Sequence, residues 1–343
     1  MRLTRSGQPA SPDLAATVWK YHSGVAEREV AVIVPAHRAA AFIDVCLEGL
    51  ERQTLDSRRF AVHVVDSGAD HTAEIVQRRV QGWGGRLHYH RAPPGSGPAE
   101  KRNLGARRAD SRYLAFTDAD CIPEPEWLAA GLRRLCLGAS LVAGRTLEPV
   151  DAFGHRFDHR VVVEDHSPLY ESCNVLYDAT SFSAAGGFPT ALFERTGEVF
   201  GEDAELAWSV RRSGGVAVFA PDCVVRHQVV ESSYAQHLRR QWRARLFPLL
   251  VRRVPELRTE LLRARLFLGP RSLRFDSALA GIALRRRLPA AALLMLPYLL
   301  KLIRAARTRP GAPVVPAAKL VLSDCVRAGA LAWGSARYRS PVL

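Results

Sequence analysis

Two aspartates separated by one residue follow a hydrophobic stretch in the N-terminal half of the chain. They are Asp118 and Asp120 of the segment FTDAD. Residues two apart in an extended segment point the same way, so both carboxylates can face one cation. Mg²⁺ and Mn²⁺ take oxygen ligands in proteins and often bridge to the phosphates of a substrate. The motif therefore predicts a divalent metal site for a diphosphate, in preference to a solvated acidic turn.

A second acidic group opens a predicted helix further along the chain. The segment GEDAEL places Glu202 and Asp203 in the first turn, and Gly214-Gly215 ends the pattern. Acidic side chains stabilise a helix N-terminus, so capping is the simpler interpretation. A transferase, however, needs a base that accepts the proton of an attacking hydroxyl. A carboxylate held at a helix start on the ligand side would serve.

Alternating strands and helices are needed to position these groups, and the hydrophobic pattern predicts them. Apolar runs indicate four strands, and helical patterns lie between them, one with Phe42, Val45, Cys46 and Leu50 on a single stripe. This order predicts an α/β domain with a mostly parallel central sheet. Ligands of such sheets bind at the carboxyl ends of the strands. The polar residues after each run are therefore candidates: 35–38, 66–70 and 118–120. The predicted strands are Val30–Val34, Phe60–Val65, Leu87–His90 and Tyr113–Thr117; the later helical segments are Thr72–Val80 and Glu100–Ala109.

The charge of the chain is concentrated in its C-terminal third. The 343 residues carry a formal charge of +14, and residues 233–343 hold 22 Lys and Arg against four Asp and Glu. Such asymmetry predicts a surface that meets phosphate, in anionic lipid or in nucleic acid, although a solvated basic face is the simpler alternative. Nucleic-acid readers of single strands interleave aromatic and basic residues. Here Leu, Val and Ala accompany the arginines, which favours lipid.

Two helical segments in this third bear on membrane contact. Tyr234–Leu250 is predicted to be an arginine-rich helix, and Leu288–Ile303 is the most apolar stretch of the chain. The second is shorter than a spanning helix and contains Pro297 and Lys301. Its flanking arginines favour an in-plane or re-entrant membrane contact over a buried core helix.

Cysteine usage and the N-terminus point to an intracellular protein. The six cysteines are dispersed, without the C-x-x-C spacing of a zinc or redox site, which is typical of a reduced chain. The start of the chain lacks an apolar signal-peptide core. We expect a polar tail over 1–28, a nucleotide-binding domain over 29–230 and a basic, hydrophobic helical region over 231–343.

Six short motifs in series resemble the family 2 glycosyltransferases of the GT-A fold. They are VAVIVPAHR, VVDSGAD, AEKRNLGA, FTDAD, AAGGF and GEDAEL, spread over roughly residues 29–230. The order of the motifs is more specific than any one of them. The C-terminal third looks like that of bacterial members that work at the membrane.

The resemblance implies a role for individual residues. Asp203 corresponds to the catalytic base, with Glu202 beside it. Asp118 and Asp120 would hold the nucleotide ribose and the metal, which is Mg²⁺ or Mn²⁺, and His227 would complete the metal site. A lone histidine is more often structural, so that alternative stays open. The remaining contacts are assigned to the nucleotide (Pro35, Ala36, Arg38, Asp66, Arg102, Asn103 and Ala119) and to the acceptor or donor sugar (Asn174, Gly187 and Phe188).

The predicted activity is transfer of a sugar from a nucleoside-diphosphate donor, with UDP favoured, to a hydroxyl acceptor. A single base with direct displacement implies inversion, and the lack of several spanning helices favours a non-processive enzyme. The acceptor is a saccharide, a lipid-linked glycan or a small molecule, and envelope glycan or glycoconjugate synthesis fits the membrane-like tail. We expect a cytoplasmic protein, peripheral or monotopic on the inner face of the cell membrane. The alternatives are a basic nucleic-acid-binding protein and an inactive relative. A nucleotidyltransferase that forms sugar nucleotides would need a Gly-rich loop after the first strand, where this chain has Pro35-Ala36-His37-Arg38.

Overall fold

The fold is described from a computed structural model, which covers residues 28–150, 155–190, 198–306 and 317–343. Most of the predicted polar tail lies outside the described residues. Eight strands form a single sheet in the order β3-β2-β1-β4-β7-β6-β8-β5. Their bounds are β1 Arg28–Ala36, β2 Phe60–Asp66, β3 Leu87–Arg91, β4 Ser111–Thr117, β5 Cys121–Pro123, β6 Leu141–Leu147, β7 Asn174–Asp178 and β8 Ala217–His227.

Six of the eight strands run in the same direction, as the sequence predicted. β1, β2, β3 and β4 pair in parallel, and β6 pairs in parallel with β8. β7 and β5 run the other way. The four strands predicted from apolar runs are β1 to β4, and β2 is buried along its whole length. Continuous apolar runs arise here because both faces of the sheet are covered.

Twelve α-helices lie among the described residues. The shorter 3-10 segments include Arg243–Leu246 and Pro289–Met295. The helices are α1 Ile43–Glu51, α2 Thr72–Val80, α3 Pro98–Arg108, α4 Trp127–Cys136, α5 Ala179–Ala184, α6 Glu202–Arg212, α7 Tyr234–Trp242, α8 Phe247–Arg253, α9 Leu257–Glu260, α10 Gly269–Leu284, α11 Leu296–Ala306 and α12 Ala317–Tyr338.

The structure corrects three details of the predicted helices. Tyr234–Leu250 is not one helix: α7 gives way to a 3-10 turn, and α8 restarts with Pro248 in its first turn. Proline lacks the N–H that a continuing helix would use, but it fits a helix start. Leu288–Ile303 is likewise divided into a 3-10 segment and α11. In α1, Val45 is exposed while Cys46 and Leu50 are buried, so Val45 does not belong to the apolar stripe.

The helices after residue 230 share a core with the sheet. One apolar cluster joins Val175 of β7 and Ala207 of α6 to Leu250 of α8 and Leu331 of α12. A smaller cluster of Phe275, Ala278 and Tyr298 lies between α10 and α11. The change near residue 230 is thus a change of architecture within a continuous packed body. None of the described helices is long and apolar enough to cross a membrane.

Candidate functional site

The predicted site residues gather at one edge of the sheet because the parallel strands end there. Ala36 at the end of β1 is level with Asp66 at the end of β2. Thr117 at the end of β4 faces Asn174, where the reversed strand β7 begins. His227 at the end of β8 pairs with Cys121, which follows Asp120 directly. The chain therefore brings segments far apart in sequence to the same edge.

Asp120 and His227 form an arrangement that suits a divalent cation. The Asp120 Oδ2 and His227 Nε2 atoms are 3.7 Å apart, and the ligand atoms of Asp120, Cys121 and His227 all lie within 4.8 Å of one another. The His227 Nδ1 donates to the Gln228 carbonyl at 2.8 Å, because a carbonyl can only accept. With that proton on Nδ1, the Nε2 lone pair faces the negatively charged carboxylate of Asp120. A cation bound between the two atoms would remove the repulsion between them.

The groups around this pair favour a hard cation held by oxygen and nitrogen. Burial raises the pKa of Asp120, which His227 opposes and Asp118 reinforces. The hydrogen bond between Cys121 and Cys173, together with burial, raises the pKa of Cys121 well above its usual range. That thiol is therefore protonated at neutral pH and is a poor ligand. Asp118, two residues before Asp120, completes the acidic pair predicted from the motif.

Arg102 of α3 lies at the centre of the acidic residues. Its Nη2 donates to Asp118 Oδ1 at 2.7 Å, and its Nη1 is 3.8 Å from Glu202 Oε1. The guanidinium is buried, with its carbon 5.4 Å from the centre of the Phe188 ring. Burial alone would lower the pKa of Arg102, but Asp118, Asp203 and Glu202 outweigh it and raise that pKa. A fixed cation thus joins the D-x-D motif to the start of α6.

Asp203 has one carboxylate oxygen held and one oxygen without a partner. Its Oδ2 accepts the backbone N–H of Ser172 at 2.9 Å. Its Oδ1 is buried and has no hydrogen-bond partner among the residues that the structure describes. Burial raises the pKa of Asp203, while Arg102 and the Ser172 N–H counteract it. A buried carboxylate oxygen without a donor is suited to accept a proton from a ligand that reaches it.

Glu202, the neighbour of Asp203, is also largely buried. Burial, together with the negative charge of Asp203, raises the pKa of Glu202 to about 7. Two adjacent buried carboxylates seldom ionise together, so the pair shares its charge. The structure thereby brings together six of the residues assigned to the site: Asp118, Asp120, Arg102, Glu202, Asp203 and His227.

Asp66 is completely buried at the end of β2, and the fold already engages both of its oxygens. Oδ1 accepts the Gly68 N–H at 2.7 Å. Oδ2 accepts the Tyr89 hydroxyl at 3.0 Å and Arg91 at 3.1 Å. A ligand that bonds to Asp66 would therefore bond to a carboxylate oxygen that already accepts a hydrogen bond from the protein. Tyr89 and Arg91 belong to β3, and sequence reasoning did not single them out.

The loop after β1 is tied to the loop after β2. The Ala40 N–H donates to Asp70 Oδ2 at 3.0 Å, and Arg38 adopts a left-handed backbone with φ of 52°. A Cβ on Gly68 would lie 2.6 Å from the Arg38 nitrogen, so only glycine fits this approach. Strain in a non-glycine residue is typical of a ligand loop. Pro35 and Ala36 lie just before this loop and are buried.

Lys101 is a site residue that the sequence analysis missed. Its buried Nζ donates to the Ala36 carbonyl at 2.9 Å and to the Ser67 hydroxyl at 3.3 Å. Burial lowers the pKa of Lys101 to about 8, against the pull of Asp66. The helical period offered a signal, because Lys101 lies one turn before Gly105 and faces the same strands. The lysine links the loops after β1 and β2.

Three predicted contacts act within the fold instead of facing the open edge. The Asn103 amide donates to the Phe188 carbonyl and accepts the Phe188 N–H, at 2.7 and 2.9 Å. The ring of Phe188 is buried and lies against Phe116. Gly187, before it, has a φ of 73° and forms the turn. These residues position α3 and Arg102, and we leave Asn103 and Phe188 out of the ligand contacts proposed below.

Asn174 is also engaged within the fold. Its amide donates to the carbonyls of Arg145 and Cys223 at 2.8 and 2.9 Å, and its oxygen accepts the Trp127 indole N–H at 2.8 Å. The side chain is 2% exposed. The structure therefore does not bring the Asn174 side chain to a sugar. The backbone of Ala119, which is also mostly buried, lies between the two aspartates.

The sequence of this chain is similar to a known protein family and to several curated proteins. Residues 31–191 match the model described as glycosyl transferase family 2. The glycosyltransferase AglE of Haloferax volcanii is 30% identical over 116 residues, 34% of this chain and 38% of that protein. A pre-mycofactocin glycosyltransferase of Mycobacterium tuberculosis is 24% identical over 220 residues, 60% of this chain and 44% of that protein. The chain spans less than half the length of both relatives.

A solved structure supports the fold along most of the chain. The mannosyltransferase PcManGT from Pyrobaculum calidifontis, in complex with GDP-Man and Mn²⁺, superposes with a TM-score of 0.62 at 21% identity. The match covers 89% of this chain and 86% of that chain. Similarity at this identity concerns the fold, and it confirms the predicted GT-A architecture. The helices after residue 230 fall largely within the matched length.

Proposed function

We propose that this protein, whose residues 31–191 match the model described as glycosyl transferase family 2, transfers a sugar from a nucleoside-diphosphate donor to a hydroxyl acceptor. The observation that carries the proposal is the meeting of Asp118, Asp120 and His227 with Arg102 and the start of α6 at one sheet edge. This combines a cation site, a fixed positive charge and a base. A sugar transfer with a diphosphate leaving group needs those three elements.

The donor nucleotide is proposed to lie across the ends of β1, β2 and β4. The strained loop at Arg38 and the buried carboxylate of Asp66 lie at the limits of that space. Lys101 of α3 connects the two loops through its bonds to the Ala36 carbonyl and the Ser67 hydroxyl. Arg102 would face the diphosphate, because it is already paired with Asp118. A buried guanidinium neutralises phosphate more effectively than an exposed one. UDP is the donor nucleotide we favour.

A divalent metal, Mg²⁺ or Mn²⁺, fits the residues present. Asp120 and His227 would hold it, with Asp118 beside them, since Nε2 of His227 and Oδ2 of Asp120 face each other at 3.7 Å. When bound there, the metal would neutralise negative charge on the departing diphosphate.

Asp203 is the proposed base. The acceptor hydroxyl attacks the anomeric carbon, the bond from that carbon to the diphosphate breaks, and Oδ1 of Asp203 takes the hydroxyl proton. The Ser172 N–H fixes the other oxygen, so the unpaired Oδ1 is held in place without another bond. Direct displacement with one base inverts the anomeric centre. The protonation of Glu202 would affect the negative charge beside Asp203, because the two carboxyl groups influence each other's proton binding.

The proposed setting is the inner face of the cell membrane, in the synthesis of an envelope glycan or glycoconjugate. α11 presents Leu296, Leu299 and Ile303 to solvent, although they are large and apolar. Arginines 285 to 287 precede that region. Apolar side chains next to cations favour an anionic lipid surface. We propose peripheral attachment and a non-processive reaction with a saccharide, lipid-linked or small-molecule acceptor.

Thermal unfolding with a panel of nucleoside diphosphates, with and without Mn²⁺, tests the donor site. A ligand that binds only the folded state raises the melting temperature. We expect one diphosphate to stabilise the protein only when Mn²⁺ is present, and Asp120→Asn to abolish that response. The exposed Asp110 is a matched control, and Asp110→Asn should respond like the parent chain. A parent chain that no diphosphate stabilises would overturn the donor assignment.

A further inference from the structure

A cavity lined mainly by cations opens away from the sheet edge. It measures about 480 Å³ and is lined by Arg156, Arg274, Pro297, Leu300, Lys301 and Arg304. Arg156 follows β6, Arg274 lies on α10, and the other four lie on α11. The cavity thus forms where the helical region meets the sheet domain. Among the described residues, its lining contains four cations and no carboxylate.

Most of this positive charge has no counter-charge nearby. The side chains of Arg156, Arg274 and Arg304 make no hydrogen bond or ion pair with any residue in the described part of the chain. Lys301 alone has a carboxylate, Asp324 Oδ2, at 2.7 Å. That carboxylate also binds Arg271 and the Tyr298 hydroxyl, so it is already shared.

Lys301 is affected by the charge of two neighbouring arginines, one of which, Arg156, also lines the cavity. Burial lowers the pKa of Lys301 despite its bond to Asp324, and the charges of Arg271 and Arg156 lower it further. Like charges held together around a concave space repel each other. An anion that enters the cavity would relieve that repulsion and gain several charge-assisted hydrogen bonds. Arginine forks suit phosphate oxygens in particular.

The surroundings of the cavity identify the kind of molecule that carries the phosphate. On α11, Tyr298 packs inward against Phe275. Leu296, Leu299 and Ile303 on the same helix are 51%, 45% and 53% exposed. The described lining contains no aromatic ring and so offers no stacking platform of the kind found in nucleic-acid sites. A phosphate group beside an apolar surface is the chemistry of a phospholipid.

We infer that this cavity binds the phosphate group of an anionic lipid, while the apolar face of α11 enters the interface. The inference deepens the membrane attachment proposed above, because it assigns the attachment to one site rather than to diffuse charge. Arg156 is three residues before His159, whose ring is 5.7 Å from that of His227. Three residues of chain span at most about 11 Å. A lipid held at Arg156 would therefore fix the metal-site edge close to the membrane.

Vesicle flotation tests the site with phosphatidylcholine vesicles that contain or lack phosphatidic acid. The double variant Arg274→Gln/Arg304→Gln removes two cavity cations. We expect it to lower the affinity for the phosphatidic acid vesicles at least about tenfold, since two interfacial arginines together contribute on this scale. The matched control is Arg286→Gln/Arg287→Gln, which removes the same charge from exposed positions outside the lining. Its loss of affinity should be several-fold smaller.

Three results would overturn the inference. Equal losses in the two double variants would show diffuse attraction without a site. Unchanged vesicle binding in the cavity variant would exclude the cavity, and so would stabilisation by inorganic phosphate alone with no vesicle effect, which would mean a free-anion site. Both variants should keep the melting temperature of the parent chain and its response to nucleotide and Mn²⁺. If the parent chain lacks that response, the proposed activity fails while the vesicle comparison still decides the lipid site.

Discussion

At the scale of single residues, the candidate site depends on one buried arginine that several carboxylates surround. Arg102 bonds to Asp118 and lies close to Glu202, and all three are at least partly buried. An unpaired charge there would be costly, so each partner stabilises the others. This arrangement leaves the buried Asp203 Oδ1 without a hydrogen-bond donor among the described residues, because Arg102 bonds to Asp118 and the Ser172 N–H bonds to Oδ2.

Asp203→Asn tests the proposed base. Asparagine keeps the shape and the bond from Ser172 but cannot accept the hydroxyl proton. We expect kcat to fall by about 10²–10⁴-fold, as is typical for the loss of a general base. The readout is release of nucleoside diphosphate from the donor that the thermal panel identifies, and stabilisation by that diphosphate should be retained.

Glu205→Gln is the control for that change, on the same helix and paired with Arg253 at 3.1 Å. Glutamine keeps the shape of Glu205 and can still accept from Arg253, which is 32% exposed and can also bond to water, so kcat should stay close to that of the parent chain. Equal activity in Asp203→Asn and the parent chain would remove Asp203 from the mechanism.

A buried histidine predicts how stability depends on pH. Burial, aided by His88 and His90, lowers the pKa of His63 to about 3, so the folded state keeps this ring neutral. In the unfolded chain the ring takes up a proton near pH 6.5. Below that pH the unfolded state binds one more proton than the folded state, so the free energy of unfolding falls as pH decreases, by up to about 1.4 kcal/mol per pH unit. His63→Gln should flatten that slope in denaturant unfolding between about pH 7.5 and pH 5.

The exposed His71 provides the comparison for this titration. His71→Gln should leave the slope of the parent chain unchanged, because its ring is 80% exposed. A parent chain whose slope is identical to that of His63→Gln would contradict the buried, neutral state of His63.

Residue types at strand ends were predictable, whereas side-chain partners across the fold were not. FTDAD and GEDAEL carry their chemistry in a local pattern. The bond of Asn103 to Phe188 joins residues 85 apart in sequence, and that of Asn174 to Cys223 joins residues 49 apart. A single sequence shows an asparagine in either place without showing which backbone it binds. The same limit hid Lys101, whose partners lie on other elements.

At the scale of elements, α3 places its side chains by packing closely on the sheet. A Cβ on Gly105 would lie 2.6 Å from Cγ2 of Ile33 in β1 and 3.1 Å from Cγ2 of Val65 in β2. The helix can approach these strands because this position has no side chain. Its N-terminal half then carries Lys101 and Arg102 over the strand ends.

Gly105→Ala should displace α3 and lower the free energy of unfolding by roughly 1–3 kcal/mol through overpacking. Ile33→Ala alone should destabilise by about 2–5 kcal/mol, because it leaves a cavity. The double variant should be more stable than the sum of the two losses implies, since the new methyl group enters the space that Ile33 vacates. Urea unfolding of the four proteins measures this coupling, and strict additivity would show that Gly105 and Ile33 are not in contact.

At the scale of the whole molecule, the sheet domain and the helices after residue 230 behave as one packed unit. Leu250 and Leu331 belong to the same apolar cluster as Val175 of the sheet. α12 approaches the Arg243–Leu246 turn so closely that a Cβ on Gly334 would lie 2.1 Å from the Arg245 carbonyl oxygen. Composition and charge predicted a change near residue 230, but pattern alone gave no contact between the two parts.

A pair of glycines on α12 tests this continuity. Gly334→Ala should lower the free energy of unfolding by roughly 1–3 kcal/mol and should do so in a single transition that includes the sheet domain. Gly329 on the same helix has open space around it, and Gly329→Ala should stabilise the protein by about 0.5–1 kcal/mol. Thermal unfolding followed by tryptophan fluorescence gives both values. Two separate transitions, with only one affected by Gly334→Ala, would contradict a shared core.

The central claim is that Asp120 and His227 hold a metal which binds the donor diphosphate. Calorimetric titration of the diphosphate selected by the thermal panel, with Mn²⁺ and with a chelator, measures it directly. We predict that Mn²⁺ lowers the Kd at least about tenfold, that Asp120→Asn removes this gain, and that Asp110→Asn keeps it. A Kd that is the same with Mn²⁺ and with chelator in the parent chain would contradict the claim.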